Sequence, residues 1–354
     1  MLLLLSSLAR RRYRDDIVRA LALPTGAELR FRYGEQYIQS DILQGLIAKG
    51  APPSPGLICH LAEEATSAIL VPCRFVSVQQ VRRVGTSYIF DLQAEDFVGS
   101  LNDVQLRASM KPPEISRLPV ASSGTHVPNG NFVLDVGADL RGHRAPDALG
   151  MEAFEKTTQA LRAHGFDAED PTAFYSVRRL AASGAHKPKL MSDGTFKLRS
   201  GERYLLDVYT YAPESEDKPS DAMGLTIGAE AQDVSFASAT NAKLDSRYDL
   251  HQFIFSTERR LFALSTGLQL ALTVPDKADT KTIEQRCDVV LEVVFRGSVV
   301  MAAVRVAMIA MGTAAPAVIG AYAAGKGSLG LAALMLGVAL LTGIGTVFPA
   351  LTKA

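Results

Sequence analysis

Gly320 and Gly325-Lys326 fall at the spacing of a phosphate-binding loop, GxxxxGK[ST]. In such a loop backbone N–H groups cradle phosphate oxygens and the closing hydroxyl holds magnesium. Position 327 is Gly, so the hydroxyl is missing, and the glycines lie inside an uncharged run rather than after a strand. The pattern therefore carries no nucleotide chemistry. The histidines, His60, His126, His143, His164, His186 and His251, make no HxH, HExxH or comparable spacing, so no metal-ligand signature is present. Cys59, Cys73 and Cys287 form an odd set without CxxC. They read as buried free thiols in a reducing compartment. No GxSxG elbow accompanies Ser122, Ser123 and His126. Asp135, in a short loop-flanked strand, and Asp139 just beyond it read as capping or solvated groups rather than an acid–base pair.

Basic residues recur as Arg10, Arg11, Arg12 and Arg14, as Arg30 with Arg32, and as the pairs Arg82-Arg83, Arg178-Arg179 and Arg259-Arg260. Spread through a body of near-neutral charge, these read as solvated faces. Two sharper roles stand beside that one. The first cluster suits anionic headgroups, at about 1 kcal/mol per charge near the surface. Arginines that converge in the fold would suit a phosphate or a carboxylate. A further constellation, Arg247, Asp249 and His251, lies on one strand candidate. No residue set emerges as catalytic, no metal or cofactor is expected, and a neutral balance of 37 basic and 37 acidic side chains argues against nucleic acid as a partner.

The elements that would hold these residues are mostly strands. Leu29, Phe31 and Tyr33 alternate with Glu28, Arg30 and Arg32, the period of a half-buried strand. Residues 69–84, the turn Gly85-Thr86 and the alternation Tyr88, Phe90, Leu92 predict a hairpin. Short strands are predicted at 132–136, 196–198, 204–209, 248–255, 268–274 and 289–295, and residues 111–130 and 213–219 as loops. Helices are predicted at Leu4 to Leu21, Ser40 to Lys49 and Met151 to His164, the last closed by Gly165. The expected architecture is α+β to mostly β: two antiparallel β-rich lobes, 1–145 and 146–297, with a few helices. Val81-Arg82-Arg83-Val84 and Val177-Arg178-Arg179-Leu180 hint at duplication, but four residues are too few to establish it.

Residues 298–354 differ in kind. From Val306 onward the only charged residues are Lys326 and Lys353. The 20 residues from Val306 to Gly325 span about 30 Å as a helix, the thickness of the hydrocarbon layer. A second uncharged run, Gly327 to Thr352, follows a short polar turn. The pair predicts a transmembrane helical hairpin, spans near 303–325 and 328–350. Arg296, Arg305 and Lys353 at its ends, against Lys326 alone at its turn, place the body on the cytoplasmic side. Gly312 and Pro316 mark a kink. Gly320, Gly330, Gly337 and Gly343, with alanines at three- and four-residue spacing, allow close helix packing within the hairpin or between copies.

The sequence thus predicts a non-enzymatic membrane protein with the layout of a bacterial effector. Its β-rich body would bind a protein or a small signal. Its hairpin would anchor, oligomerise or perturb the lipid bilayer. A membrane-tethered enzyme acting on a lipid or nucleotide is the main alternative, and a structural subunit of a membrane complex the other.

Overall fold

The structure is a computed structural model that describes residues 1–7, 11–47, 53–63, 68–119, 130–146, 149–166, 174–184, 187–190, 196–199, 201–211, 224–229, 234–243, 248–257, 265–273 and 289–296. Within them the chain is mostly β, with few helices, in three sheets. The first sheet uses β1 (Leu2–Ser7), β2 (Glu28–Gly34), β3 (Ser54–Glu63), β4 (Ala68–Val84), β5 (Ser87–Phe97) and β6 (Val133–Asp135), in the order β2-β5-β4-β3-β1-β6. Ile38, just past β2 at one edge, bridges Val133 of β6 at the other edge. Phe132 N–H also donates to the Tyr37 carbonyl at 2.8 Å. The sheet therefore curls round on itself, and Tyr33 reaches across its interior to donate to the Leu5 carbonyl at 3.1 Å.

The first sheet departs from the sequence expectation in two ways. Residues 4–7 are strand, not helix: β1 is buried along its whole length and pairs parallel to β3, with Leu3 opposite Leu57 and Leu5 opposite Cys59. A strand covered on both faces shows an unbroken apolar run instead of alternation, so Leu2 to Leu5 carry no period that separates strand from helix. The helix that follows, α1 (Arg11–Ala22), begins only where the amphipathic period does, and buries Ile17, Val18, Ala20 and Leu21. Because of the β1–β3 pair the first sheet is mixed rather than antiparallel.

The hairpin predicted for residues 69–92 is β4 and β5, turning at Gly85 with φ +62°. The helix predicted after Ser40 is α2 (Ser40–Leu46). Two elements of the first half went unread. β3 starts with Ser54-Pro55, inside a proline-rich stretch that reads as loop. α3 (Asp103–Ala108) opens with a capping box in which the Asn102 side chain accepts from Gln105 N–H and the Gln105 side chain accepts from Asn102 N–H. The spacing Asn-x-x-Gln was its available signal. The loop predicted for 111–130 contains one helical turn, α4 (Pro112–Ile115).

The predicted helix at 151–164 is α5 (Gly150–Ala163), which buries Ala153, Phe154, Thr157, Thr158 and Leu161. Its end is a Schellman closure: Gly165 N–H donates to Arg162 and Phe166 N–H to Leu161, both at 3.0 Å, with Gly165 at φ +76°. Beyond it lie β7 (Phe174–Ala182), β8 (Lys189–Leu190), β9 (Phe196–Arg199), β10 (Arg203–Tyr211), β11 (Gly224–Ala229), β12 (Val234–Phe236), β13 (Asn241–Lys243), β14 (Tyr248–Thr257), β15 (Ser265–Thr273) and β16 (Val289–Arg296). They form a second sheet, β12-β14-β10-β7, and a third, β13-β11-β15-β16-β9-β8. The third is also mixed, because β9 runs parallel to β16.

One buried apolar cluster passes from the first sheet to the second. Its aromatic seam has two branches. Phe97 of β5 meets Phe154 of α5, which meets Tyr209 of β10, with centroids 5.9 and 5.6 Å apart. His60 of β3 meets Phe166, which meets Phe174 of β7, at 4.9 and 5.4 Å. The loop predicted at 213–219 and the hairpin predicted at 298–354 lie outside the described residues.

Candidate functional site

Among the described residues Arg74 is the most deeply buried cation, 1% exposed. It stands on β4 beside the end of α1, where the last helical carbonyls have no intrahelical donors. Its guanidinium fills that need. Nη1 donates to the carbonyls of Ala20, at 2.7 Å, and Leu23; Nε donates to the Glu95 carbonyl at 2.7 Å; Nη2 reaches Thr25 Oγ1 at 3.3 Å. The Phe97 ring lies 4.5 Å beneath it. Burial pulls its pKa down to about 9, with Asp96 opposing, so it stays cationic at neutral pH. A positive charge at a helix C-terminus is favourable, and here it joins α1, β4 and β5.

Four of the arginines set apart in the sequence, Arg30, Arg82, Arg83 and Arg179, bind carboxylates. Arg30 Nε and Arg82 Nε both converge on Asp91 of β5, at 2.8 and 2.9 Å. Arg83 pairs with Glu35 at 2.9 Å. In the second sheet Arg179 of β7 binds Asp207 of β10 at 2.8 Å, and Gln252 of β14 donates to the other oxygen at 3.1 Å. Convergence therefore occurs, but onto the protein's own carboxylates. Arg14 lies 5.9 Å from the Phe166 ring, while Arg10, Arg259 and Arg260 lie outside the described residues.

Asp249 and His251 of the second sheet approach to 3.8 Å, too long for a direct hydrogen bond. Strand alternation puts both on one face of β14 and Tyr248 on the other. On that second face Tyr209 donates to Glu155 of α5, Arg162 donates to the Tyr211 hydroxyl at 2.7 Å, and Tyr211 and Tyr248 pack at 4.7 Å. Burial and the neighbouring Glu155 carboxylate raise the Tyr209 pKa. The tyrosine group thus seats α5 on the sheet and does not share a face with the Asp249–His251 pair. Arg247 lies outside the described residues.

His60 is fully buried, and neither ring nitrogen has a hydrogen-bond partner among the described residues. Burial pulls its pKa down to about 4; the nearby Ser6 main chain opposes this and His164 adds to it. Cys59 and Cys73 are free and buried. Burial pushes the Cys73 thiol up to about 12 and the Cys59 thiol well above its ordinary value, which makes both poor nucleophiles. Asp139 takes Arg141, and Asp135 takes Gly137 N–H and the Met1 amine, the capping roles expected of them.

Among the described residues no group of three or more His, Cys, Asp or Glu side chains is placed to hold a metal, and no helix is long and apolar enough to cross a membrane. Arg296 is the last residue of β16, opposite Ser265 and beside Arg199. Arg305, Gly312, Pro316, Gly320, Lys326, Gly330, Gly337, Gly343 and Lys353 lie outside the described residues. No protein-family model matches the chain, and no curated protein matches it.

Proposed function

We propose that the chain is a membrane-anchored protein whose β-rich body receives a protein or small-molecule signal on the cytoplasmic side. Its C-terminal hairpin would anchor, self-associate or perturb the bilayer in response. The observation that carries this reading is the charge pattern: Lys326 and Lys353 are the only charges from residue 306 to 354. Two such runs in succession suit lipid, because a charge at mid-bilayer costs roughly 2.5–3.5 kcal/mol on an insertion scale. Alkaline carbonate extraction of membranes containing the full chain tests it, with the chain expected in the pellet. Recovery in the supernatant would reject the anchor. Dye release from liposomes bearing the chain then separates perturbation from plain anchoring.

A membrane-tethered enzyme is the second reading, favoured by the approach of Asp249 to the buried His251 Nε2, which accepts or donates no hydrogen bond among the described residues. A nucleotide or lipid headgroup that raises the melting midpoint of the wild type but not of His251→Ala would support it. Equal shifts in both would count against it.

A further inference from the structure

Two hairpins in different sheets share one design. In the first, β4 and β5 pair with Val78 opposite Leu92 and Gln80 opposite Asp91, so Gln79 bulges. In the second, β7 and β10 pair with Val177 opposite Val208 and Arg179 opposite Asp207, so Arg178 bulges. A bulge breaks the ladder and re-aims a strand, and where it falls is a designed feature. The bulge recurs at one register position in the two hairpins.

Residue identities follow the same register. Phe75, Ser77 and Val78 answer Phe174, Ser176 and Val177. Gly85-x-x-Tyr88-Ile89-Phe90-Asp91-Leu92 answers Gly201-x-x-Tyr204-Leu205-Leu206-Asp207-Val208. Gly85 and Gly201 both sit in the left-handed region, at φ +62° and +80°. Phe75 and Phe174 are fully buried, and the two aspartates are 7% and 4% exposed. A third strand lies on the same side of each hairpin: β2 sets Arg30 against Asp91 and Phe31 against Phe90, and β14 sets Gln252 against Asp207 and Phe253 against Leu206. β2 precedes its hairpin and β14 follows, so the continuous repeated piece is the hairpin itself.

We infer that β4–β5 and β7–β10 are two copies of one structural unit, in which Asp91 and Asp207 are the same position with the same task. Each is a buried carboxylate that fastens its strand to both neighbours beside the bulge. The carboxylate stays while its cation moves. Arg179 comes from directly opposite Asp207, whereas Arg82 reaches Asp91 from two residues further along β4. The register makes Gln80 the counterpart of Arg179, and Ala181 the counterpart of Arg82. The two Arg-Arg dipeptides are therefore not counterparts: Arg82-Arg83 correspond to Ala181-Ala182. The second copy also holds an insertion between Gly184 and Gly201 that contains β8 and β9, where the first copy turns in two residues.

The correspondence predicts a transplant. In the full chain in detergent, Arg82→Ala lowers the melting midpoint by several degrees. Adding Gln80→Arg, which sets an arginine opposite Asp91 as Arg179 is opposite Asp207, recovers at least half of that loss. The reciprocal pair, Arg179→Gln alone and with Ala181→Arg, behaves likewise. If either single variant fails to fold, recovery of folded protein in its double variant is the same positive result. Single variants that melt with the wild type, or doubles no better than their singles in both hairpins, would overturn the equivalence.

Discussion

Arg74 shows how one side chain can hold three elements. Replacing it by Met keeps the volume but leaves the carbonyls of Ala20, Leu23 and Glu95 buried without that donor. The Glu95 carbonyl keeps a long bond from Thr25 Oγ1 at 3.5 Å, and each of the other two costs about 1–3 kcal/mol when unpaired, so Arg74→Met is expected to lose at least about 2 kcal/mol in urea unfolding. His60 supplies a pH prediction. Its folded-state pKa lies near 4 and its ordinary value is 6.5. Between those values the unfolded chain binds a proton that the folded chain refuses. The contribution is thus complete above about pH 6.5 and is lost as pH falls through about 4, with a ceiling of about 3 kcal/mol. Unfolding midpoints at pH 7 and pH 4.5 should differ less in His60→Leu than in the wild type. Neither residue was legible in the sequence. Arg74 belongs to no arginine pair, and its value comes from where α1 ends. His60 shows its lack of a hydrogen-bond partner among the described residues only once Phe166 is packed on its ring.

At the scale of elements, alternation was legible and full burial was not. β2 reads correctly because Glu28, Arg30 and Arg32 face water while Leu29, Phe31 and Tyr33 face inward. β1 misreads because all six of its residues are covered. The same cause hid β7, where Phe174 to Val177 are all buried. Leu4→Ala in β1 should therefore cost about 2–5 kcal/mol, the range for emptying a closed core site, whereas an amphipathic surface helix would lose far less. Chemical denaturation distinguishes the two. The Gly85 turn offers a cleaner comparison. A Cβ there meets nothing within 4 Å, so Gly85→Ala isolates the cost of the left-handed backbone, roughly 1–2 kcal/mol.

For the whole molecule, the continuous core predicts that the first two sheets melt together. Phe154 and Phe166 each touch aromatic rings of both. Tryptophan is absent, so a single Trp placed at Phe90 and, separately, at Phe253 would report each sheet. The two fluorescence transitions should coincide, and separation by more than experimental error would mean that the sheets are energetically independent. The sequence showed two β-rich regions but could not show this seam, which depends on which face of α5 meets which strand.

The parallel pairing of β9 with β16 has a mechanical side. β16 ends at Arg296, ten residues before the uncharged stretch begins. If that stretch is held in a membrane, a tug along the chain reaches β16 first, and the β15 and β9 ladders on its two sides share the load. The inserted strand would then act as a strain-relief clamp, letting the body ride out jostling at the lipid surface before its core feels the load.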